Sequence, residues 1–361
     1  MKSIFKRVMS IGVFLSSTIV VSAQSTNDTM TCAENSCCCS SDPTPAGVMI
    51  SHVHNKNEWM ISYRYMNMQM NGMLQGTTAT NKEDVFLKYL MAPDKMQMDM
   101  HMLMAMYGIT NKLTVMSMFN YNVNTMSMSM FATNGHNHSG MGGMNNVDMS
   151  HNMKTSGISD VKLHFLYSLI KKERHQLLVA LGASLPTGNI KFKGKSDDMM
   201  YPNQRYPYAM QLGSGTFDIL PCVNYIYQKQ KTTFSAQLSS VVRTSKNQIG
   251  YKLGNEETFN TWIAYQWFKF LSASIRVEGT HATKISGYDP AIYYYREPSA
   301  NPYNYGGNKI SSFIGTQCHF QKGVLKNGRI AVEYGIPVYQ NLNGLQMKLQ
   351  HTLNASLSIG L

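Results

Sequence analysis

The sequence predicts an all-β protein, a transmembrane antiparallel up-and-down β-barrel of about 12 strands with short periplasmic turns and long extracellular loops. Three observations predict this fold: an N-terminal export signal, a two-residue alternation of apolar and polar side chains from Glu58 onward, and connections that are short and long in turn. After the signal, no stretch approaches the roughly 18 apolar residues of a spanning helix. Any later membrane span must therefore be a strand, since only helices and closed barrels satisfy every backbone polar group in lipid.

The first 23 residues have the pattern of a secretory signal peptide. Lys2, Lys6 and Arg7 precede an apolar run that ends at the small-residue cleavage pattern Val21-Ser22-Ala23. A retained membrane anchor is the weaker interpretation, because the run is short for a bilayer. Without these three cations the net charge falls from +12 to near +9. Nucleic acid is not the expected partner of this basic chain, because it is exported and its Lys and Arg are scattered.

Residues 24–57 are polar, contain Cys and Pro, and show no periodicity, so we predict a flexible periplasmic tail. The barrel is predicted over residues 58–361. Leu357, Ile359 and Leu361 alternate with small polar residues, as is common in the closing strand of bacterial barrels. The predicted strands are 58–71, 96–108, 112–130, 157–170, 174–188, 214–229, 232–245, 257–268, 270–284, 309–321, 328–338 and 347–361.

The connections between these strands alternate in length along the whole chain. This is expected of a barrel whose N-terminus lies in the periplasm. In the first long connection, the segment 81–91 has helical spacing at Val85, Leu87 and Leu90, which predicts a short helix. The short connections are 110–111, 171–173, 230–231, 269 and 323–327, and the long ones are 72–95, 131–156, 189–213, 246–256, 285–308 and 339–346.

Methionines concentrate in the first strands: 22 of the 29 lie between Met49 and Met153. Within strand-like runs they have even numbers, which places their thioethers on one face. In the first strand they share that face with Ser62 and Arg64, which indicates the lumen; the second strand is ambiguous, because Asp99 and His101 lie on the opposite parity. The set is Met66, Met68, Met70, Met96, Met98, Met100, Met102, Met104, Met106, Met116, Met118, Met126, Met128 and Met130.

Two interpretations of these methionines remain open. They can be flexible apolar filler of a narrow lumen or of a lipid-facing surface. Alternatively, they form a ladder of soft ligands for Cu(I) or Ag(I) as a bound or transported ion, since thioethers and thiolates select soft ions. The cysteines do not match a zinc spacing and can pair as disulfides in an oxidising periplasm. Further candidate ligands are Cys32, Cys37, Cys38, Cys39, His52 and His54 in the tail, and His136 and His138 in the second outer loop.

Three segments carry a family resemblance: Gly157 to Asp160, Ser184 to Gly188, and Leu212 to Asp218. With them, the chain resembles outer-membrane transporter proteins related to the meta-pathway phenol-degradation family. The segments Pro45 to Met49 and Met96 to Tyr107 are similar to a Met-rich branch of that group associated with copper handling. The resemblance implies a barrel transporter with either soft metal ions or aromatic compounds as cargo, and it brings no agreed functional residues.

The leading hypothesis is an outer-membrane transporter or pore that handles copper or silver ions through a methionine-lined lumen. The alternative is a diffusive uptake channel for small hydrophobic or aromatic molecules, and a third hypothesis is a structural or adhesive barrel. Expected partners are outer-membrane lipids and, for a metal cargo, periplasmic metal carriers or an efflux system. No cofactor is required, and an enzyme is not expected, since no nucleophile elbow, phosphate loop or HExxH motif is present.

Overall fold

The computed structural model describes residues 43–130, 150–195, 198, 201–320, 322 and 326–361. The predicted signal peptide, the four tail cysteines, His136 and His138 lie outside the described residues. The described strands are β1 (Trp59–Gly76), β2 (Thr78–Thr80), β3 (Met91–Gly108), β4 (Leu113–Met130), β5 (Ser150–Ile158), β6 (Val161–Lys171), β7 (His175–Leu185), β8 (Asp218–Lys229), β9 (Thr232–Arg243), β10 (Glu256–Phe268), β11 (Leu271–Ala282), β12 (Gly307–Phe320) and β13 (Gly328–Gly360).

These strands form one antiparallel sheet, and the pairing of β13 with β1 closes it into a barrel. The short β2 pairs only with β1, and β5 and β6 share one position beside β4. Eleven of the 13 strands therefore form the ring. The first part of β13 pairs with β12 and the second part with β1, so alternation of direction around the ring makes β13 run up and then down. Counted as two limbs, β13 brings the wall to the predicted twelve crossings.

The predicted alternation of inward and outward side chains is confirmed. On β4, Met116 is 0% exposed while its neighbour in the opposite parity, Phe119, is 51% exposed. On β9, Ser235 is buried and Phe234 faces out. Outward apolar side chains are what a lipid-facing surface requires, and inward polar ones are typical of a barrel lumen.

The predicted alternation of connection lengths is confirmed except at 339–346, which the sequence predicts as a long connection but which lies within β13. Short turns join β3 to β4, β6 to β7, β8 to β9, β10 to β11 and β12 to β13, all at the end where β1 begins. Long connections lie at the opposite end, which we call the outer end. The predicted helix is shorter than its pattern, since α1 covers only Lys82–Phe86, with Val85 buried and Leu87 exposed beyond its end. In the part of the chain that the structure describes, no helix has the length and apolarity to cross a membrane.

The largest correction concerns the predicted flexible tail. Its described part, residues 43–57, lies inside the barrel near the periplasmic end, and we call it the lumen segment. The backbone N–H of Gly47 donates to Glu333 Oε2 on β13 at 2.8 Å, and the Ile50 carbonyl accepts hydrogen bonds from Asn224 Nδ2 at 3.0 Å and Gln237 Nε2 at 2.7 Å. Inward polar side chains of the barrel thus satisfy the backbone of this segment, which is why it is ordered despite lacking periodicity.

The motifs that carried the family resemblance meet at the outer end around Asp160. Its carboxylate accepts hydrogen bonds from the backbone N–H groups of Gly188 at 2.9 Å and Ser214 at 2.7 Å. The close approach of two loops explains the glycines, because a Cβ on Gly188 would lie 2.7 Å from the Gly213 Cα. These motifs therefore fasten the loop 186–217 onto the barrel.

Candidate functional site

The inner faces of β1, β3, β4 and β5 form one thioether-lined surface, the Met wall. All 14 strand methionines singled out from the sequence share the inward parity, since odd-numbered neighbours such as Leu103 face outward with 52% of their surface exposed. The half-buried ones are Met66, Met68, Met70, Met98, Met100 and Met130. The buried ones are Met96, Met102, Met104, Met106, Met116, Met118, Met126 and Met128.

The strand register sets these thioethers side by side in rows across neighbouring strands. In one row, near the outer end, Met70 pairs with Met96, Met96 with Met126, and Met126 with Met153. We call these four residues the upper row. Directly opposite residues on antiparallel strands have Cβ atoms about 4.5–5.5 Å apart, so neighbouring thioethers can reach a common ligand.

A second row lies near the periplasmic end and includes a histidine. Met60 pairs with Met106, Met106 with Met116, and Met116 with His164 on β6. We call these four residues the lower row. They are joined in the same buried region by Cys222 of β8 and by Ile50 and Val53 of the lumen segment.

Between the two rows, the inner face of β4 carries three asparagines. Asn120, Asn122 and Asn124 are buried, and the side-chain oxygen of each has no hydrogen-bond partner among the described residues. Their register partners on β3 are Met102, Met100 and Met98, so the asparagines have thioether neighbours on that side. Buried amide oxygens of this kind are available to a passing polar group or to water.

The rest of the lumen has a different chemistry. Here the inner faces of β8 to β13 form the polar wall, whose centre is Arg276, 1% exposed. Its Nε donates to Glu333 Oε1 at 2.8 Å, and its Nη1 donates to Asn260 Oδ1 at 2.7 Å and Glu278 Oε2 at 2.5 Å. The guanidinium also lies 3.7 Å from the centre of the Phe313 ring. The charges of Arg276, Glu278 and Glu333 are thus paired with one another.

The structure shows which face of the second predicted strand, now β3, points into the lumen. Asp99 lies on the outward parity of β3, where its carboxylate accepts hydrogen bonds from Tyr65 at 2.5 Å and Asn67 at 2.7 Å. His101, on the same face, is hydrogen-bonded to the Tyr63 hydroxyl at 2.7 Å. These polar groups are therefore satisfied on the outer surface, and they do not turn the methionines of β3 outward.

Loops fold over the outer end of the Met wall. We call the described residues of 186–217, together with 283–306, the outer cap. Tyr201 and Tyr206 of this cap pack with Met126 and Met153. The Tyr201 hydroxyl donates to Glu297, which is 0% exposed. Burial raises the pKa of the Glu297 carboxyl to about 7, so this group changes charge near neutral pH.

The tail histidines predicted as ligands lie in the lumen segment. The His52 and His54 rings are in edge contact with centroids 4.9 Å apart, and the backbone N–H of His54 donates to Thr114 Oγ1 at 2.8 Å. In the described part of the chain, no three His, Cys, Asp or Glu side chains come together as a metal site. A metal centre built from described residues would therefore depend on thioethers.

Sequence reasoning left some inward residues out of the candidate site. Met60 has the same even parity as the predicted ligands, so parity alone was a sufficient signal for it. Met153 has an odd number and lies in the predicted connection 131–156, and only its register with Met126 places it in the upper row. His164 shares the inward parity of β6 with Leu166, opposite the outward Phe165. No spacing motif marks it, because its neighbours in the row come from other strands.

A closed antiparallel barrel with an apolar outer face and a lumen of polar and thioether side chains is a bacterial outer-membrane β-barrel. The chain is similar to an outer membrane channel from Pseudomonas putida F1, with 13% identity and a TM-score of 0.56 over 87% of this chain and 98% of that one. A FadL homologue from Pseudomonas aeruginosa has 11% identity and a TM-score of 0.38, covering 84% of this chain and 89% of its own. The monoaromatic hydrocarbon channel TodX, as a mutant, has 10% identity and a TM-score of 0.39, with 85% and 90% covered.

At these identities the likeness concerns the fold, for which the Pseudomonas putida channel is the supporting case. No protein-family model matches the chain. No curated protein matches it either.

Proposed function

We propose that the protein is an outer-membrane channel for small apolar molecules. The observation that carries this proposal is the absence of ionised side chains from a long part of the Met wall. The inner faces of β3 from Met96 to Met106 and of β4 from Thr114 to Met130 bear only Met, Asn and Thr. A charged solute on this surface would lose hydration without gaining an opposite charge, whereas an apolar solute would not incur that cost.

Two further points support a channel of this kind. Methionine side chains are flexible and polarisable, so a thioether surface adapts to apolar solutes of different shapes. The fold is similar to that of a protein described as an outer membrane channel. The lumen segment lies across the periplasmic part of the barrel, so its displacement would widen the route to the periplasm.

The test compares two substitutions at Met100, an inward, half-buried residue that pairs with Met66 and Asn122. Uptake of toluene into liposomes containing the purified full chain is measured. We expect Met100→Glu to slow uptake by about tenfold or more, the effect of roughly 1.4 kcal/mol. Met100→Leu keeps the wall apolar and should leave uptake near that of the wild type. Equal uptake by both variants, or no uptake above that of protein-free liposomes, would overturn the proposal.

Handling of a soft monovalent cation, Cu(I) or Ag(I), is the second candidate function. The observation that favours it is the side-by-side placement of thioethers in the upper and lower rows. Isolated thioethers are weak donors, but several neutral sulfur ligands close together select soft ions over hard ones. The roles of the tail cysteines, of His136 and His138, and of periplasmic carriers stay predictions.

Binding of Cu(I) by the purified full chain tests this second candidate. The protein should hold Cu(I) against a competing chelator, and replacing the methionines of both rows by Leu should abolish the binding. Leu keeps the volume and apolarity of the wall and removes only sulfur. Unchanged retention of Cu(I) by that variant would show that the rows do not bind the metal.

A further inference from the structure

The lower row combines three thioethers and one imidazole on four adjacent strands. Met60 is 3% exposed, Met106 is 1%, Met116 is 0% and His164 is 6%. We propose that these four side chains form a binding site for one soft monovalent cation, Cu(I) or Ag(I). The inference rests on the second candidate function and assigns it a specific location.

The buried imidazole nitrogen of His164 is the observation that points to a ligand. Its Nδ1 is buried and has no hydrogen-bond partner among the described residues. Buried imidazole nitrogens normally have a partner, and an orphan in a native structure calls for an explanation such as a bound ion or water. The ring packs over Gly182 on β7, in the space that a side chain would fill, since a Cβ there would lie 2.3 Å from this same Nδ1.

The sulfur atoms beside His164 have no competing role. A thioether is only a weak hydrogen-bond acceptor, so packing leaves its lone pairs available to a metal. The ligands are neutral, which suits an ion of single charge that must leave water for a buried position. Lys162, two residues from His164, is the nearby cation on β6; its acidic neighbours are Glu256, Asp160 and Asp218.

The lumen segment covers this row from the inside. Ile50 and Val53 pack in the same buried cluster as the three methionines, and Met49 packs against it. A site enclosed between a strand wall and a packed segment excludes water, which favours retention of a soft ion over exchange with solvent. The upper row has four methionines but no imidazole, and it packs against Tyr201 and Tyr206 instead. It therefore provides a matched control within the same barrel.

The experiment titrates Ag(I) into the purified full chain in detergent against a competing thioether chelator, and records X-ray absorption at the silver edge. The lower-row variant carries Met60→Leu, Met106→Leu and Met116→Leu, and a second variant carries only His164→Gln. The control carries Met70→Leu, Met96→Leu, Met126→Leu and Met153→Leu. A difference in SDS-gel mobility between unheated and heated samples verifies that each barrel is folded.

We expect the lower-row variant to lose at least about 100-fold in affinity at the tightest site, since even loss of a residue that only orients a ligand costs roughly 10- to 100-fold. His164→Gln should remove the nitrogen contribution from the absorption spectrum, while the control keeps it. If the control loses the tightest site and the lower-row variant keeps it, the proposed location is wrong and metal handling stands. If the wild type does not bind Ag(I), both fail. Toluene uptake by the same variants reports separately on the channel proposal.

Discussion

The Met wall and the polar wall obey the same alternation but fill the lumen with different chemistry. On both, outward residues are apolar: Phe119 on β4 and Ile275 on β11 are each more than half exposed. Inward, one wall presents Met116 and Met126, and the other presents the Arg276 network. Membrane insertion constrains only the outward parity. The inward parity is thus where the two walls differ and where function is encoded.

The two walls also differ in how completely their side chains are satisfied. The Arg276 guanidinium is paired with Glu333 and Glu278, and Glu333 also accepts from the lumen segment at Gly47. The polar wall is therefore occupied by its own contacts and by the segment it holds. Thioethers need no partner, so the Met wall is packed yet chemically available. This contrast predicts that substitutions on the polar wall act on stability, while those on the Met wall act on binding.

Removing a charge from the polar wall is the strongest test of the difference between the two walls. Glu333→Gln leaves Arg276 with only the partly exposed Glu278 as an anionic partner. Breaking a buried pair in this way typically costs 3–5 kcal/mol, so we expect a loss of about 4 kcal/mol in the free energy of unfolding. Urea unfolding in detergent measures it, with exposed Glu257→Gln as the control. A loss no larger than that of the control would show that the network does not stabilise the barrel.

The next largest effect is a pH dependence on the Met-wall side, at the outer cap. Glu297 has its pKa raised from 4.5 to about 7 by burial, so its protonated form is favoured in the folded cap. Its contribution is complete below pH 4.5 and is lost as the pH rises through 7. We expect the cap to weaken by about 3 kcal/mol between pH 5 and pH 8. Hydrogen exchange in residues 283–306 measures this change.

Glu297→Gln serves as the control for the cap, because the amide is isosteric and does not ionise. Exchange in this variant should be nearly independent of pH over the same range. If the wild-type cap exchanges equally at both pH values, Glu297 does not control it.

Alternation and loop lengths predicted the barrel well, because both are local consequences of a lipid-facing ring. The inward direction of Met66 followed from the polar residues that share its parity, whereas that of Met96 could not be decided from the sequence because Asp99 lies on the opposite parity. The lumen segment could not be predicted in the same way, since Gly47 and its partner Glu333 are separated by 286 residues. A polar segment without periodicity carries no local signal that it will find hydrogen-bond partners inside a barrel.

The candidate site shows the same limit. Parity gives the face of each strand, but a row across strands requires the register, which depends on contacts distant in sequence. Met60 and His164 belong to one row only because β1, β3, β4 and β6 pair with specific offsets. A lone histidine such as His164 has no spacing pattern that would mark it as a ligand.

The contact between Gly47 and the polar wall anchors the lumen segment, and a substitution at Gly47 tests it. A Cβ on Gly47 would lie 2.4 Å from Arg276 Nη2 and 2.5 Å from Glu333 Oε2. Gly47→Ala should therefore cost about 2 kcal/mol, as overpacking of a filled interior does, and should make the segment more accessible to protease. At Gly279, nothing lies within 4 Å of the corresponding position, so Gly279→Ala is the control. Equal protease resistance of both variants would place the segment's anchor elsewhere.

The smallest effect is expected on the Met wall itself. Met116→Leu conserves volume and apolarity, so the free energy of unfolding should fall by less than about 1.5 kcal/mol. On the polar wall, Asn224→Leu removes a donor from the Ile50 carbonyl and the acceptor of the Ser235 hydroxyl. The Ile50 carbonyl keeps Gln237 and the Ser235 hydroxyl keeps the Tyr225 carbonyl as partners. The loss of the two hydrogen bonds should therefore cost about 0.5–1.5 kcal/mol each, and this variant should be the less stable of the pair. If Met116→Leu were the more destabilising substitution in the same urea titration, the thioether would have a structural role. The assignment of stability to the polar wall and binding to the Met wall would then be wrong.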